Sequence, residues 1–145
     1  MKKVNYHISI NAPKETVWEI IWGNESYKKW TSVFSEGSDA ITDWQEGSKA
    51  HFTNGQGEGM VARIAKRIEH EFLSIEHLGM LSGGKEILEG PEIDKWKGSL
   101  ENYTLKEEGG VTRLDIDMDV SEEWADHLNE KWPKALEKLK AMAEL

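Results

Sequence analysis

The sequence predicts an α+β domain in which a curved antiparallel sheet packs against a long C-terminal helix. Three observations predict it. The run Leu114-Asp115-Ile116-Asp117-Met118-Asp119-Val120 alternates apolar and acidic residues, the period of a half-buried strand. It leads into Trp124, Leu128, Trp132, Leu136, Leu139 and Met142, whose spacing draws one apolar stripe along a helix. Between Phe34 and Val120, turn signals recur at short intervals, as in an antiparallel meander. A sheet with one oily face and a helix with one oily stripe bury each other. Such a pair can enclose a cavity.

The elements follow in order. Val4, Tyr6, Ile8 and Ile10 alternate with Asn5, His7 and Ser9, which predicts a first strand. Pro13 suits the first turn of a helix, and Val17, Trp18, Ile20, Ile21 and Trp22 follow at helical spacing. Gly23-Asn24 ends that helix, and a second short one is expected from about Glu25 to Trp30. Strands then dominate to Val120, giving six or seven in all. Asn54-Gly55 is the strongest hairpin signal, because both residues accept positive φ, and Glu107-Glu108-Gly109-Gly110 is the next. The segment from Gly79 to Asp94 fits poorly. It reads as a loop with one helical turn near Lys85 to Leu88. Its apolar residues either cover the sheet as a cavity lid or anchor the loop. Ser121 is the expected N-cap of the last helix. Pro133 inside that helix lacks an N–H, and its ring clashes with the carbonyl four residues back, so a kink or break is expected near Glu130 to Trp132.

Composition bounds the function. The 145 residues are 38% hydrophobic and 31% charged, which suits one globular domain over 1–145. Seven tryptophans supply large buried area to a core or a pocket. The formal net charge of −9 repels phosphate backbones and anionic lipid, so neither nucleic acid nor membrane is an expected partner. There is no cysteine, hence no disulfide or thiolate site, as suits a reducing cytoplasm. Met1-Lys2-Lys3-Val4-Asn5 has no apolar stretch behind its lysines, unlike a signal peptide. No apolar run approaches the roughly 18 residues of a membrane helix.

Candidate chemistry is sparse. Asp115, Asp117 and Asp119 lie about 6.5 Å apart along a strand. They diverge from any single ion, whose ligands sit at about 2.3–2.6 Å, and read as a solvated face. None of the five histidines has metal-binding spacing, and no metal or cofactor is expected. His77 shares strand parity with Leu73 and Ile75 and so is expected inside. Glu101 shares parity with Tyr103 and Leu105, but the competing parity of Trp96, Gly98 and Leu100 places it in water. The two alternatives stay open unless a bulge near Gly98 reconciles them. A buried carboxylate is costly unless paired or protonated. The run Asn-Gly-Gln-Gly-Glu-Gly from Asn54 to Gly59 lacks the lysine of a phosphate cradle and reads as a hairpin tip.

Ile10-Asn11-Ala12-Pro13, Val17-Trp18 and Trp30 resemble the opening of the START-like, or SRPBCC, superfamily. Trp44-Gln45-Glu46-Gly47-Ser48 resembles its next hairpin. Glu101-Asn102-Tyr103-Thr104-Leu105, Gly110-Val111-Thr112-Arg113-Leu114, and Trp132 with Leu136 and Leu139 resemble its end. The branch most similar is the domain like the C-terminal part of the activator of the heat-shock-protein ATPase. The resemblance implies a helix-grip fold, with two short helices after strand 1 and a hydrophobic cavity between sheet and C-terminal helix. Members bind lipids, sterols, polyketides or plant hormones, act as cyclases or hydrolases, or serve as cochaperones.

The leading expectation is a non-enzymatic binder of a small apolar ligand. The expected cavity wall is Phe52, Met60, Ile64, Ile75, Met80, Trp96, Tyr103, Met118, Trp124, Leu128, Trp132 and Leu136, with His77 and Glu101 orienting a polar group. The alternatives are a cochaperone-like domain with a chaperone as partner, and a polyketide cyclase-like enzyme needing His77 or Glu101 inside.

Overall fold

A computed structural model describes residues 2–145. The chain runs β1 (Lys2–Ile10), α1 (Lys14–Trp22), α2 (Asn24–Thr31), β2 (Asp39–Ile41), β3 (Lys49–Thr53), β4 (Gly59–Ile68), β5 (Phe72–Ser82), β6 (Lys85–Ile87), α3 (Pro91–Asp94), β7 (Leu100–Glu108), β8 (Val111–Val120) and α4 (Glu122–Ala143). The strands form one antiparallel sheet in the order β1-β8-β7-β5-β4-β3-β2, with β6 added to β5. This is the helix-grip arrangement: the sheet curls about α4, and α1 and α2 close one end. No helix among the described residues is long and apolar enough to cross a membrane.

Register explains the two faces. β1 and β8 pair from Lys2↔Val120 to Ile10↔Thr112 without a break. Directly opposed residues in antiparallel strands share a face, so Val4, Ile10, Leu114, Ile116 and Met118 turn inward together, and all are buried. The aspartate row turns outward. Asp115 meets Arg113 at 3.0 Å, and Asp117 receives the Asn102 amide at 3.1 Å. Register shifts at Val61/Ala62 and Ile64/Lys66 break the β4–β5 ladder. Such bulges bend a strand, which curves the sheet inward.

The helix packs through Ala125, Trp132, Ala135, Leu136, Leu139 and Ala143. Three small alanines let α4 approach closely, and Trp132 fills the space that remains. Its ring lies 4.9 Å from Phe34, 5.7 Å from Tyr6, 5.9 Å from Trp30 and 6.2 Å from Tyr103, between centroids. Trp30 is itself fixed by an Nε1–H bond of 3.1 Å to the Ile21 carbonyl.

Three expectations are corrected. The helix is not broken at Pro133 but runs from Glu122 to Ala143. Pro133 is exposed, and the packing of Trp132, Ala135 and Leu136 on either side holds the helix together. The segment after Gly79 is not a loop with a helical turn at Lys85 to Leu88. Met80 to Ser82 continue β5, and Lys85–Ile87 returns as β6 through Gly83-Gly84, bringing the strands to eight. Both glycines have positive φ, 58° and 78°, so this pair is a turn signal equal to Asn54-Gly55. The helical turn falls later, at Pro91–Asp94.

Nor does that segment cover the inner face. A Cβ on Gly79 would stand 2.2 Å from the Ile87 carbonyl and 2.8 Å from the Leu88 side chain. Gly79 pairs with Val61, on the face opposite Met60 and Met80. Leu88 therefore covers the outer face. Val61, Leu81 and Ile93 are buried yet stand apart from the main core.

Replacing Trp132 with alanine is expected to cost about 3–5 kcal/mol, read by urea unfolding. Pro133→Ala is expected to stabilise by up to about 3 kcal/mol, since it restores a helix N–H and removes no packing. Unchanged stability in that variant would mean that the proline is accommodated by its surroundings without cost.

Candidate functional site

Bulges and register together place a polar cluster on the inner face. Ile75 opposes Glu101 and Leu73 opposes Tyr103 across β5 and β7. Met118 opposes Glu101 from β8, and His77 opposes Ala62 on β4. Because Ile75, Leu73, Met118 and Ala62 are buried, Glu101, Tyr103 and His77 must face inward with them. The two parities around Gly98 are thus reconciled: Gly98 and Ser99 exchange backbone bonds with His77 before β7 begins at Leu100.

Within this cluster His77 Nε2 stands 3.3 Å from Glu101 Oε1, and the Tyr103 hydroxyl donates to Glu101 Oε2. The His77 and Glu101 side chains are 18% and 19% exposed, so they are sheltered without being sealed. His77 Nδ1 is buried without a partner. Burial, and then the Glu101 charge, push the Tyr103 phenol well above its usual pKa. The same two causes, followed by the Asp39 charge, raise Tyr27 of α2. Both phenols therefore stay protonated donors beside a carboxylate.

Next to the cluster the inner face continues as an apolar row, bordered by α2 at its β2–β3 end. Ala40 opposes Phe52, Phe52 opposes Met60, Met60 opposes Met80, and Met80 opposes Ile87. All five residues share one face, spanning β2 to β6. α4 packs instead over β1 and against α1 and α2. Met80 and Ile87 are 40% and 42% exposed, whereas Phe52 and Met60 are half-buried. The Phe52 ring lies 5.9 Å from Trp44 and 6.3 Å from Tyr27, which joins the row to the core. The arrangement is a part-exposed apolar row beside a carboxylate–histidine pair, a candidate trough for a chain with one polar group.

The residues expected to line a cavity therefore divide. Ile64, Ile75, Tyr103, Met118, Trp132 and Leu136 are buried in the core, and Leu128 packs half-buried against it. Phe52, Met60, His77, Glu101 and Met80 meet at the trough. Met80 is its exposed rim and not an enclosed wall. Trp96 and Trp124 do not line it. Trp96 sits in the turn after α3, outside the core. Trp124 is 59% exposed in the first turn of α4, off the buried stripe, with its ring 5.6 Å from His127. Tyr27, Trp44 and Ile87 were not singled out by the sequence. Tyr27 lies within a short helix of weak periodicity, and Trp44 and Ile87 depend on turns that local patterning does not orient.

Two shallow surface grooves lie elsewhere. One, of about 440 Å³, runs between α1 and the β2–β3 connection past Trp22, Trp44 and His70. There Arg67 stacks 5.7 Å over Trp18 and donates to the Trp44 carbonyl. The other, of about 480 Å³, lies at the C-terminal end of α4 beside Ile20, Met142 and Leu145.

Comparison with known proteins identifies the relationship. The profile of the family described as Activator of Hsp90 ATPase homolog 1-like protein matches residues 11–144. The chain belongs to this family. No curated protein matches it. Among solved structures, the Aha1 dimer from Colwellia psychrerythraea is 21% identical with a TM-score of 0.75, the match covering 100% of this chain and 98% of that one. ChR145 from Cytophaga hutchinsonii is 22% identical at a TM-score of 0.72, covering 99% and 94%. CalU16 from Micromonospora echinospora is 18% identical at 0.68, covering 97% and 75%. At such identities the structures share the fold with this member of the family.

The raised phenols set an alkaline limit. Each tyrosine has a folded pKa above its unfolded value, so its contribution is complete below about pH 10 and is lost as pH rises toward the folded value. Stability is expected to fall steeply above about pH 10. Tyr103→Phe is expected to flatten that fall. An unchanged slope in alkaline urea titrations would show that Tyr103 ionises as freely as an exposed phenol.

Proposed function

We propose that this chain binds a small amphipathic molecule in the trough, without covalent chemistry of its own. The oily part lies along Phe52, Met60, Met80 and Ile87, and the polar end reaches His77 and Glu101. The observation that carries this reading is the adjacency of an exposed apolar row and a sheltered polar pair. Small-molecule sites combine apolar walls with a few placed polar groups. Monomeric surfaces seldom leave contiguous apolar rows exposed without a partner. Trp132 and its neighbours occupy the space between sheet and helix, so the ligand sits at the open end of the grip.

The neutral fluorescent probe N-phenyl-1-naphthylamine should brighten on binding, and native mass spectrometry should detect a co-purifying molecule. Met80→Asp should weaken probe binding about tenfold, the loss of one apolar side-chain contact, with melting unchanged because Met80 is exposed. No brightening and no adduct would overturn the reading.

A second reading is supported by the family's name and by the exposed Trp124: interaction with a chaperone ATPase. Stimulation of such an ATPase by the chain, lost on Trp124→Ala, would favour it over ligand binding.

A further inference from the structure

The geometry points to a ligand whose polar end is a cationic amine, held by Glu101 at the inner end of the trough. This rests on the trough being the binding site, and it names the class of molecule that fits there.

Both oxygens of Glu101 face donors, His77 Nε2 on Oε1 and the Tyr103 hydroxyl on Oε2. Neither donor is a fixed cation, and among the described residues Glu101 makes no ion pair with lysine or arginine. Its side chain is 19% exposed at the end of an apolar surface. A sheltered carboxylate is strongly disfavoured unless a charge compensates it. Three other sheet carboxylates have that compensation: Glu76 pairs with Arg63 at 2.7 Å, Asp115 with Arg113 at 3.0 Å, and Glu86 with Lys49 at 3.0 Å.

Asp39 adds negative charge, acting on Tyr27 in the same sense as Glu101. Of the lysines toward this end, Lys97 donates to the Leu88 carbonyl at 2.9 Å, and Lys2, two residues beyond Val4 on β1, is exposed and makes no ion pair among the described residues. His77 already faces Glu101, and His127 lies against Trp124. A carboxylate head would therefore meet like charge. An ammonium would gain an ion pair with Glu101, beside the Tyr103 hydroxyl that donates to the same carboxylate.

The test compares octylamine, octan-1-ol and octanoate at pH 7.5 by isothermal titration calorimetry. These share one chain and differ in head-group charge. Octylamine is expected to bind about tenfold tighter than octanol, as a charge-assisted hydrogen bond provides, and octanoate more weakly than either. Glu101→Gln keeps the size of the side chain and is expected to remove the preference for octylamine over octanol. Octanoate equal to or tighter than octylamine would overturn the assignment while leaving the trough as a ligand site. So would an amine preference that survives Glu101→Gln. No binding by any of the three would overturn the trough itself and the assignment with it. The ranking is read in the unsubstituted protein, so it does not depend on the variant's folding.

Discussion

Trp132 is the contact on which the fold turns. One side chain from α4 touches β1 through Tyr6, β7 through Tyr103, α2 through Trp30, and the following segment through Phe34. From Tyr103 the rings continue to Trp22 at 4.9 Å, to Trp44 at 4.6 Å further on, and to Phe52. Aromatic pairs at such separations add about 0.5–1.5 kcal/mol each beyond the area they bury. A connected chain of them makes sheet, plug helices and long helix interdependent, so no layer keeps its geometry alone.

That chain also decides which part of the inner face stays open. Rings occupy the middle of the grip, and α4 leans toward β1 and the plug helices. The inner face is left partly exposed at Met80 and Ile87. Tyr103 belongs to both regions. Its ring joins the aromatic chain, and its hydroxyl fixes Glu101. The site is thus positioned by the same residue that helps close the core.

Much of the fold was legible because its signals are local. Alternation in β1 and β8, the hairpin at Gly109-Gly110 and the apolar stripe of α4 each depend on a few neighbouring residues. The two short helices after β1 also fell where Pro13 and Gly23 put them. The site was less legible, because it depends on register between distant strands. His77 was expected inward from simple parity, but Met80 reaches the same face only through the Val61/Ala62 bulge, which shifts the count by one. Glu101 stayed ambiguous until the chain before Leu100 was seen to end one pattern and start another. Trp124 lay on the predicted stripe, yet a spacing of four drifts around a helix of 3.6 residues per turn. By the first turn it points away from the sheet. At Pro133 the expected break is absent: the helix runs through it, with buried residues on both of its flanks.

The β5–β6 hairpin has a consequence for how the family could diversify. Its inward side bears Met80 and Ile87, and its outward side bears Glu86. Lys49 and His51 grip Glu86 at 3.0 and 2.7 Å, while Leu88 and Gly79 lock together behind it. Hairpin and core therefore share almost no side chains. Residues on this arm can change while those that hold the protein together stay fixed, so the chemistry of the arm and foldability are encoded as separable traits.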